Sequence, residues 1–120
     1  MSTQPETVIS KQIRKALEPH AVVFRGNVGT FKTIDGRFID TGLPKGFTDL
    51  FGFRKIDGKM FFIEIKTERG RLREQQIIFA DMVQQYPILY GVARSVDDAL
   101  EIIYQDTELQ FTTGAQQKFR

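Results

Sequence analysis

The sequence predicts a single α/β domain in which helices flank a central mixed β-sheet. Apolar residues recur at helical spacing from Glu6 to Leu17. Two strand-like runs rich in Phe and Ile occupy residues 48–54 and 59–67, and a short apolar run at 88–93 follows a second helical segment. Strands that alternate with helices in this way are typical of a sheet whose faces are covered by helices.

The composition excludes several kinds of protein and of site. The 120 residues suffice for one compact domain, residues 1–120. The absence of cysteine excludes thiolate metal sites, and the single histidine excludes sites that need several. There is no P-loop motif, so we expect no NTP. Neither a long apolar span nor a signal-peptide pattern is present, so we expect a cytoplasmic protein without a membrane partner.

Charge is distributed unevenly along the chain. Residues 1–73 carry fourteen Lys and Arg against eight Asp and Glu, a net charge of +6, whereas residues 74–120 carry three against seven, a net charge of −4. A basic half favours a polyanionic partner, because phosphate contacts supply most non-specific affinity for nucleic acids. An ordinary solvated surface explains the same charges about as well.

The first third of the chain predicts a helix, a strand and a glycine-rich segment. The helix at Glu6–Leu17 ends before Pro19, which cannot continue a helix. A short strand follows at Ala21–Arg25. Residues 26–46 are rich in glycine, and Asp35-Gly36 marks a turn between two short extended pieces.

A β-hairpin is predicted next, from the runs at 48–54 and 59–67 and the turn at 55–58 between them. One face of the following helix carries these residues: Leu72, Gln76, Phe79 and Val83. Pro87 ends that helix, and the strand at 88–93 follows it. A last helix, capped near Ser95, extends to about Tyr104; no element is assigned to the tail at 105–120.

The second hairpin strand contains two charged residues in an apolar run. Because side chains alternate along a strand, Phe62, Glu64 and Lys66 share one face of the sheet. Desolvating an ionised group costs several kcal/mol unless it is paired or bound to a metal. A plain ion pair between Glu64 and Lys66 on a half-exposed strand is one explanation of this pattern.

The hairpin register adds a third charged group. If the turn is centred between Ile56 and Asp57, the numbers of paired residues sum to 113, which places Asp49 opposite Glu64. Two adjacent carboxylates raise each other's pKa unless a cation lies between them. Hard oxygen ligands suit Mg²⁺, so this pair indicates a magnesium site.

These residues resemble the Asp…Glu-x-Lys core of the PD-(D/E)xK nuclease superfamily. Asp49 is followed, after fourteen residues, by Glu64-Ile65-Lys66. More narrowly, the chain resembles a stand-alone VRR-NUC domain of phage or bacterial type, most strongly over residues 6–94. Further matching segments are Arg25-Gly26-Asn27-Val28-Gly29, Gly46-Phe47-Thr48-Asp49-Leu50 and Gly70-Arg71-Leu72. Thr48 replaces the superfamily's proline, a residue that shapes the backbone.

The resemblance implies a restriction-endonuclease-like fold and a phosphodiesterase that depends on Mg²⁺ or Mn²⁺ and cuts DNA. The implied metal ligands are Glu6, Asp49, Glu64 and the backbone carbonyl of Ile65. Lys66 would orient the attacking water and stabilise charge that develops on the phosphate. Glu6 is also explained as an ordinary acid at a helix start, where the helix dipole favours negative charge.

Gln76 and several basic residues complete the candidate site. Gln76 lies on an otherwise apolar helix face, so its amide must find partners. We expect it to contact Lys66 or the nucleophilic water, although hydrogen bonding to the backbone is the alternative. The candidate DNA-binding residues are Arg25, Lys45, Arg69, Arg71 and Arg73.

Four functional interpretations follow from the sequence. The first is an endonuclease selective for branched DNA such as a four-way junction. The second is a nuclease that nicks or trims many DNA forms, and the third is a nucleic-acid-binding module without catalysis. The fourth is a structural subunit of a larger assembly, indicated only by the unassigned tail from Gln105. One chain offers one metal site, and paired cuts in a junction need two, so we expect a homodimer. Residues 26–46 and 105–120 lie outside the predicted core and are candidates for the subunit contact.

Overall fold

The computed structural model describes residues 4–107, which form three helices and six strands. In chain order these are α1 (Glu6–Leu17), β1 (Ala21–Arg25), β2 (Thr30–Lys32), β3 (Phe38–Asp40), β4 (Leu50–Arg54), β5 (Met60–Ile65), α2 (Glu74–Val83), β6 (Leu89–Ala93) and α3 (Val96–Ile103). The predicted fold class, a restriction-endonuclease-like mixed sheet flanked by helices, is confirmed. Most of the predicted tail, residues 108–120, lies outside the described residues.

Four strands form the main sheet in the order β1-β4-β5-β6. β4 is antiparallel to β1 and β5, whereas β6 pairs in parallel with β5 after the chain has crossed over through α2. Leu50 pairs with Ile63 and Phe53 with Met60, so the numbers of paired residues sum to 113, as predicted. The register of the hairpin therefore places Asp49, the residue before β4, opposite Glu64.

The two faces of the sheet have separate cores. Phe61 and Ile63 of β5 belong to the core under α1 and α3. Phe62, one residue out of phase, packs against Phe79 of α2 on the opposite face. Strand alternation therefore places Glu64 on the α2 face, in a sheet that is covered on both sides.

The glycine-rich segment forms a small sheet of its own. β2 and β3 pair only with each other, and the turn between them contains Asp35 and Gly36, as predicted. All six strand residues are exposed, so this sheet adds little to either core.

The second helix begins later than the sequence predicts. Leu72 was expected on its buried face, but α2 begins at Glu74 and Leu72 lies in the preceding loop. Arg73 has an extended backbone, and the Gln76 side-chain oxygen accepts a hydrogen bond from its N–H at 2.8 Å. This local cap stabilises the helix start at Glu74, which the apolar periodicity could not reveal. No helix among residues 4–107 has the length and hydropathy of a membrane span.

A buried arginine fastens the hairpin tip to the end of α3. Arg54 is 4% exposed, and its guanidinium donates hydrogen bonds to the Ile103 carbonyl at 2.9 Å and to the carboxylates of Asp57 and Asp106. The hydrogen bond from Arg54 lowers the pKa of Asp57. Because the planar fork of arginine satisfies several acceptors at once, one side chain links three segments of the chain.

We expect Arg54→Ala to destabilise the protein strongly, because it leaves the Ile103 carbonyl without this donor and leaves Lys59 as the one remaining donor to Asp106 among the described residues. Thermal denaturation should show a fall in Tm of at least about 5 °C for a domain of this size. The matched control is Arg37→Ala, which removes an ion pair to Asp35 in which both side chains are exposed. That variant should melt close to the wild type. Equal effects of the two substitutions would contradict the assigned role of Arg54.

Candidate active site

Glu64 is a buried carboxylate to which no group of the described residues donates a hydrogen bond. It lies in β5, in the interior of the sheet, and is 1% exposed. Within residues 4–107, neither Oε1 nor Oε2 has a hydrogen-bond partner. Burial, followed by the nearby Asp49 carboxyl group, raises the pKa of Glu64 to about 9. A buried acid without donors is costly to ionise, so this position needs a cation for the charged form to be stable.

Asp49 is held at the end of β4 by backbone contacts on both sides. Its Oδ2 accepts a hydrogen bond from the Ile65 N–H at 2.8 Å, and its carbonyl accepts one from Gly26 at 2.8 Å. The preceding Thr48 is fully buried and donates from its hydroxyl to the Leu50 carbonyl at 2.9 Å. This hydrogen bond restrains the backbone around Asp49 at the position where the sequence resemblance implied a proline.

Lys66 lies immediately beyond β5 and is 6% exposed. Its N–H donates to the Ala93 carbonyl at 3.1 Å, which continues the pairing of β5 with β6. Alternation places its side chain on the same face as Glu64, and its positive charge lowers the pKa of Glu64 against the effect of burial. A Cβ at Gly70 would lie 3.3 Å from Cδ of Lys66, so the loop passes close to the lysine stem.

Two clefts meet at Asp49. The first, here called the α1 cleft, has a volume of about 340 Å³, and its lining includes Glu6, Arg25, Asp49 and Ile65. Glu6, the acid of α1 that the sequence predicted as a metal ligand, therefore borders the same cleft as Asp49 and Ile65. Glu64 is 1% exposed and is not part of the lining of this cleft.

The second cleft, here called the α2 cleft, has a volume of about 400 Å³ and lies at the start of α2. Its lining includes Lys45, Asp49, Arg73 and Gln76. Gly46 makes this arrangement possible: its φ is +87°, and a Cβ there would lie 2.1 Å from the Gln75 carbonyl oxygen. Because Gly46 lies so close to Gln75, Lys45 and Arg73, two of the predicted DNA-binding residues, line the same cleft.

Gln76 is 8% exposed and uses its side-chain oxygen to cap α2 through the Arg73 N–H. The alternative that the sequence left open for Gln76, a hydrogen bond with the backbone, is therefore present. Gln76 also lines the α2 cleft together with Asp49, so the same residue borders the space next to the carboxylates. No hydrogen bond joins Gln76 to Lys66 within residues 4–107.

The remaining predicted cations are exposed and lie in the loop after β5. Arg69 lines none of the three clefts described for residues 4–107, whereas Arg71 lines a third, mainly apolar one between α2 and β6. Arg94, which was not singled out from the sequence, braces this loop. Its Nη1 donates to the carbonyls of Thr67 at 2.7 Å and Gly70 at 2.6 Å. No local pattern signals this role, because the acceptors are more than twenty residues away in the chain.

The donor set fits a hard divalent cation. Asp49 and Glu64 offer carboxylate oxygens, and those of Glu64 have no other partner among the described residues. Mg²⁺ commonly binds through one or two carboxylates and keeps several waters. Within residues 4–107 no group of three or more His, Cys, Asp or Glu could hold a metal ion, so Glu6 does not join the other two acids in one cluster.

Residues 6–97 match the family model of the VRR-NUC domain. The chain belongs to the VRR-NUC family. This is a nuclease family, and the match extends over most of the chain. The matched range includes Asp49, Glu64 and Lys66, and every predicted DNA-binding residue. No curated protein matches the chain.

Two further cations of the VRR-NUC domain, Lys11 and Arg14, also line the α1 cleft and were not predicted. Glu6, Ser10 and Arg14 are spaced by four residues and therefore lie on one face of α1. That spacing could have revealed Arg14, but only the packing of α1 on the sheet shows which face borders the cleft.

We expect the metal-free VRR-NUC protein to lose stability as pH rises from about 5 to about 9. The pKa of Glu64 rises from its ordinary 4.5 to about 9 on folding. Between these values the unfolded chain is ionised at Glu64 while the folded protein is protonated, so increasing pH favours unfolding. Glu64→Gln removes this titration, and its Tm in EDTA should exceed that of wild type by an amount that grows with pH.

The matched control for this experiment is Glu68→Gln, which neutralises an exposed acid four residues later. Its Tm should follow the wild-type pH profile. A Tm difference between Glu64→Gln and wild type that stays constant from pH 5 to pH 9 would show that Glu64 does not titrate as described.

Proposed function

We propose that this VRR-NUC protein is a DNA endonuclease that requires Mg²⁺ or Mn²⁺ and acts selectively on branched DNA such as four-way junctions. The main support is the carboxylate pair of Asp49 and Glu64. Glu64 is buried with both oxygens unpartnered among the described residues, an arrangement that destabilises the protein unless a cation is bound. A purely structural role for Glu64 offers no compensation for that cost.

Asp49, Glu64 and the Ile65 carbonyl would hold the ion, with Glu6 reaching the same region along the α1 cleft. A bound divalent ion supplies a water of lowered pKa and polarises the scissile phosphate. The backbone hydrogen bond from Ile65 to Asp49 keeps one carboxylate oxygen occupied, so it leaves the other for the ion. This bond also sets the spacing between the end of β4 and the end of β5.

Lys66 would orient the attacking water and stabilise negative charge that develops on the phosphate. Its burial removes competing solvent, which strengthens the interaction of its charge with a neighbouring anion. Gln76 borders the α2 cleft beside Asp49 and would contact the same water or phosphate through its amide nitrogen.

DNA would be held mainly through its phosphates. Lys45 and Arg73 line the α2 cleft, and Arg25 lines the α1 cleft, so cations lie on both sides of Asp49. Arg69 and Arg71 are exposed in the loop after Lys66. Contacts of this kind position a duplex without reading its bases, which favours selection by DNA shape over sequence.

We expect cleavage to require Mg²⁺ or Mn²⁺. We also expect two substitutions to abolish it for different reasons, one by weakening metal binding and the other by slowing the chemical step. Glu64→Gln removes a metal ligand, so calorimetric titration should show weaker Mn²⁺ binding together with lost cleavage. Lys66→Met keeps both carboxylates and the apolar stem, so it should bind Mn²⁺ and DNA but lose at least about a hundredfold in single-turnover rate. Lys55→Met, at the distant hairpin turn, is the matched control and should cut normally.

Full cleavage in excess EDTA would refute the metal requirement. If Lys66→Met lost DNA affinity while its rate on bound DNA was unchanged, Lys66 would be a binding residue and its proposed role in the chemical step would be wrong.

We expect a homodimer that cuts opposite strands of a junction within one binding event. One chain supplies one carboxylate pair, and two pairs related by a two-fold axis would make matched cuts. Light scattering at several concentrations should give twice the mass of one chain. A cruciform plasmid should be linearised directly, because both strands are cut before the protein dissociates.

The comparison substrates are a linear duplex, a nicked duplex and a flap of the same sequence. A monomer that nicks the linear duplex as fast as the junction would favour the alternative, a nuclease that acts on many DNA forms.

A further inference from the structure

The α1 cleft contains three cations that no acid of the described chain neutralises. Lys11, Arg14 and Arg25 line it, and none of them forms an ion pair within residues 4–107. By contrast, Arg54 and Lys59, at the other end of the hairpin, pair with carboxylates. Glu6 and Asp49 also line the cleft, but neither forms an ion pair with these cations, which outnumber them by three to two. Unpaired cations that line one concave space favour an anionic ligand.

Arg14 is the cation of this cleft whose surroundings are most specific. It is half-buried, and its Nε is sealed from solvent without a hydrogen-bond partner among the described residues. Leaving a buried donor of a charged group unsatisfied costs stability. Ser10, one helical turn earlier on the same face, adds a hydroxyl group to the lining.

The cleft is continuous with the carboxylate site, since Asp49 and Ile65 form part of the same lining. Arg14 lies eight residues after Glu6 on α1, a distance of about 12 Å along the helix axis. One DNA strand rises about 3.4 Å per nucleotide, so a strand that follows α1 covers the distance from Glu6 to Arg14 in about three to four nucleotides.

We propose that Lys11, Arg14 and Arg25 form a phosphate-binding subsite for the DNA strand on one side of the scissile bond. This inference rests on the proposed nuclease function and assigns to α1 a substrate-positioning role in addition to Glu6. The planar guanidinium of Arg14 suits two oxygens of one phosphate, whereas the ammonium of Lys11 acts as a point charge on the next.

The test measures junction binding in EDTA, where cleavage does not interfere, by fluorescence anisotropy across a range of salt concentrations. Lys11→Gln and Arg14→Gln should each weaken binding about tenfold. Each should also reduce the slope of log affinity against log salt by about 0.9. Lys15→Gln is the matched control, because it removes one charge from the same helix at an exposed position outside the cleft.

Single methylphosphonates, placed in turn along the DNA strand, identify the phosphate that is contacted. One neutral substitution should weaken binding by wild type but leave Arg14→Gln unaffected, and Arg14→Lys should show partial sensitivity. On cleavable DNA in Mg²⁺, this phosphate should lie within about four nucleotides of the mapped cut.

Equal losses of affinity in Lys11→Gln, Arg14→Gln and Lys15→Gln would overturn the subsite, as would identical methylphosphonate profiles in wild type and Arg14→Gln. Failure to cut any DNA with Mg²⁺ or Mn²⁺ would overturn the proposed function instead, and the anisotropy comparison would still decide whether the α1 cleft binds phosphate.

Discussion

The carboxylate of Glu64, buried in the interior of a sheet that is covered on both faces, is the constraint on which the site depends. Its ionised form is unstable without a cation, and its neutral form is favoured until the pKa of about 9 is reached. Lys66 on the same face relieves only part of this cost. The fold therefore holds an acid where a helix-covered sheet ordinarily holds an apolar side chain, which is understandable if that acid serves binding or catalysis.

The rest of the sheet makes this placement possible. The Asp49 carboxylate accepts the Ile65 N–H, so the ends of β4 and β5 are joined at the site. At the opposite end of the hairpin, Arg54 connects the turn to the end of α3. The two ends differ in character, because Arg54 has several partners whereas Glu64 has none among the described residues. The stabilising contacts of the hairpin therefore lie at the end away from the carboxylates. This is expected of a functional site, because groups kept free for binding or catalysis reduce the stability of the fold.

The surroundings of the carboxylates are organised by backbone contacts. Gln76 caps α2, Gly46 allows the preceding loop to approach that helix start, and Arg94 braces the loop after Lys66. The contacts of Gln76 and Gly46 lie at the α2 cleft, where Lys45 and Arg73 share the lining with Asp49. An electropositive region on both sides of a carboxylate pair is suited to a polyanion that extends across it.

The sequence by itself determined α1, β1, the hairpin register and the Asp49, Glu64 and Lys66 set, because periodicity, turn residues and strand alternation act over short distances. Only the tertiary structure decided where α2 begins, since the Gln76 cap overrides the apolar pattern at Leu72. It also decided that Glu6 borders a cleft that Glu64 does not line, and that Lys11 and Arg14 line the same cleft as Asp49. These relations depend on the rotation and packing of helices against the sheet, which connect residues far apart in the chain and leave no local pattern.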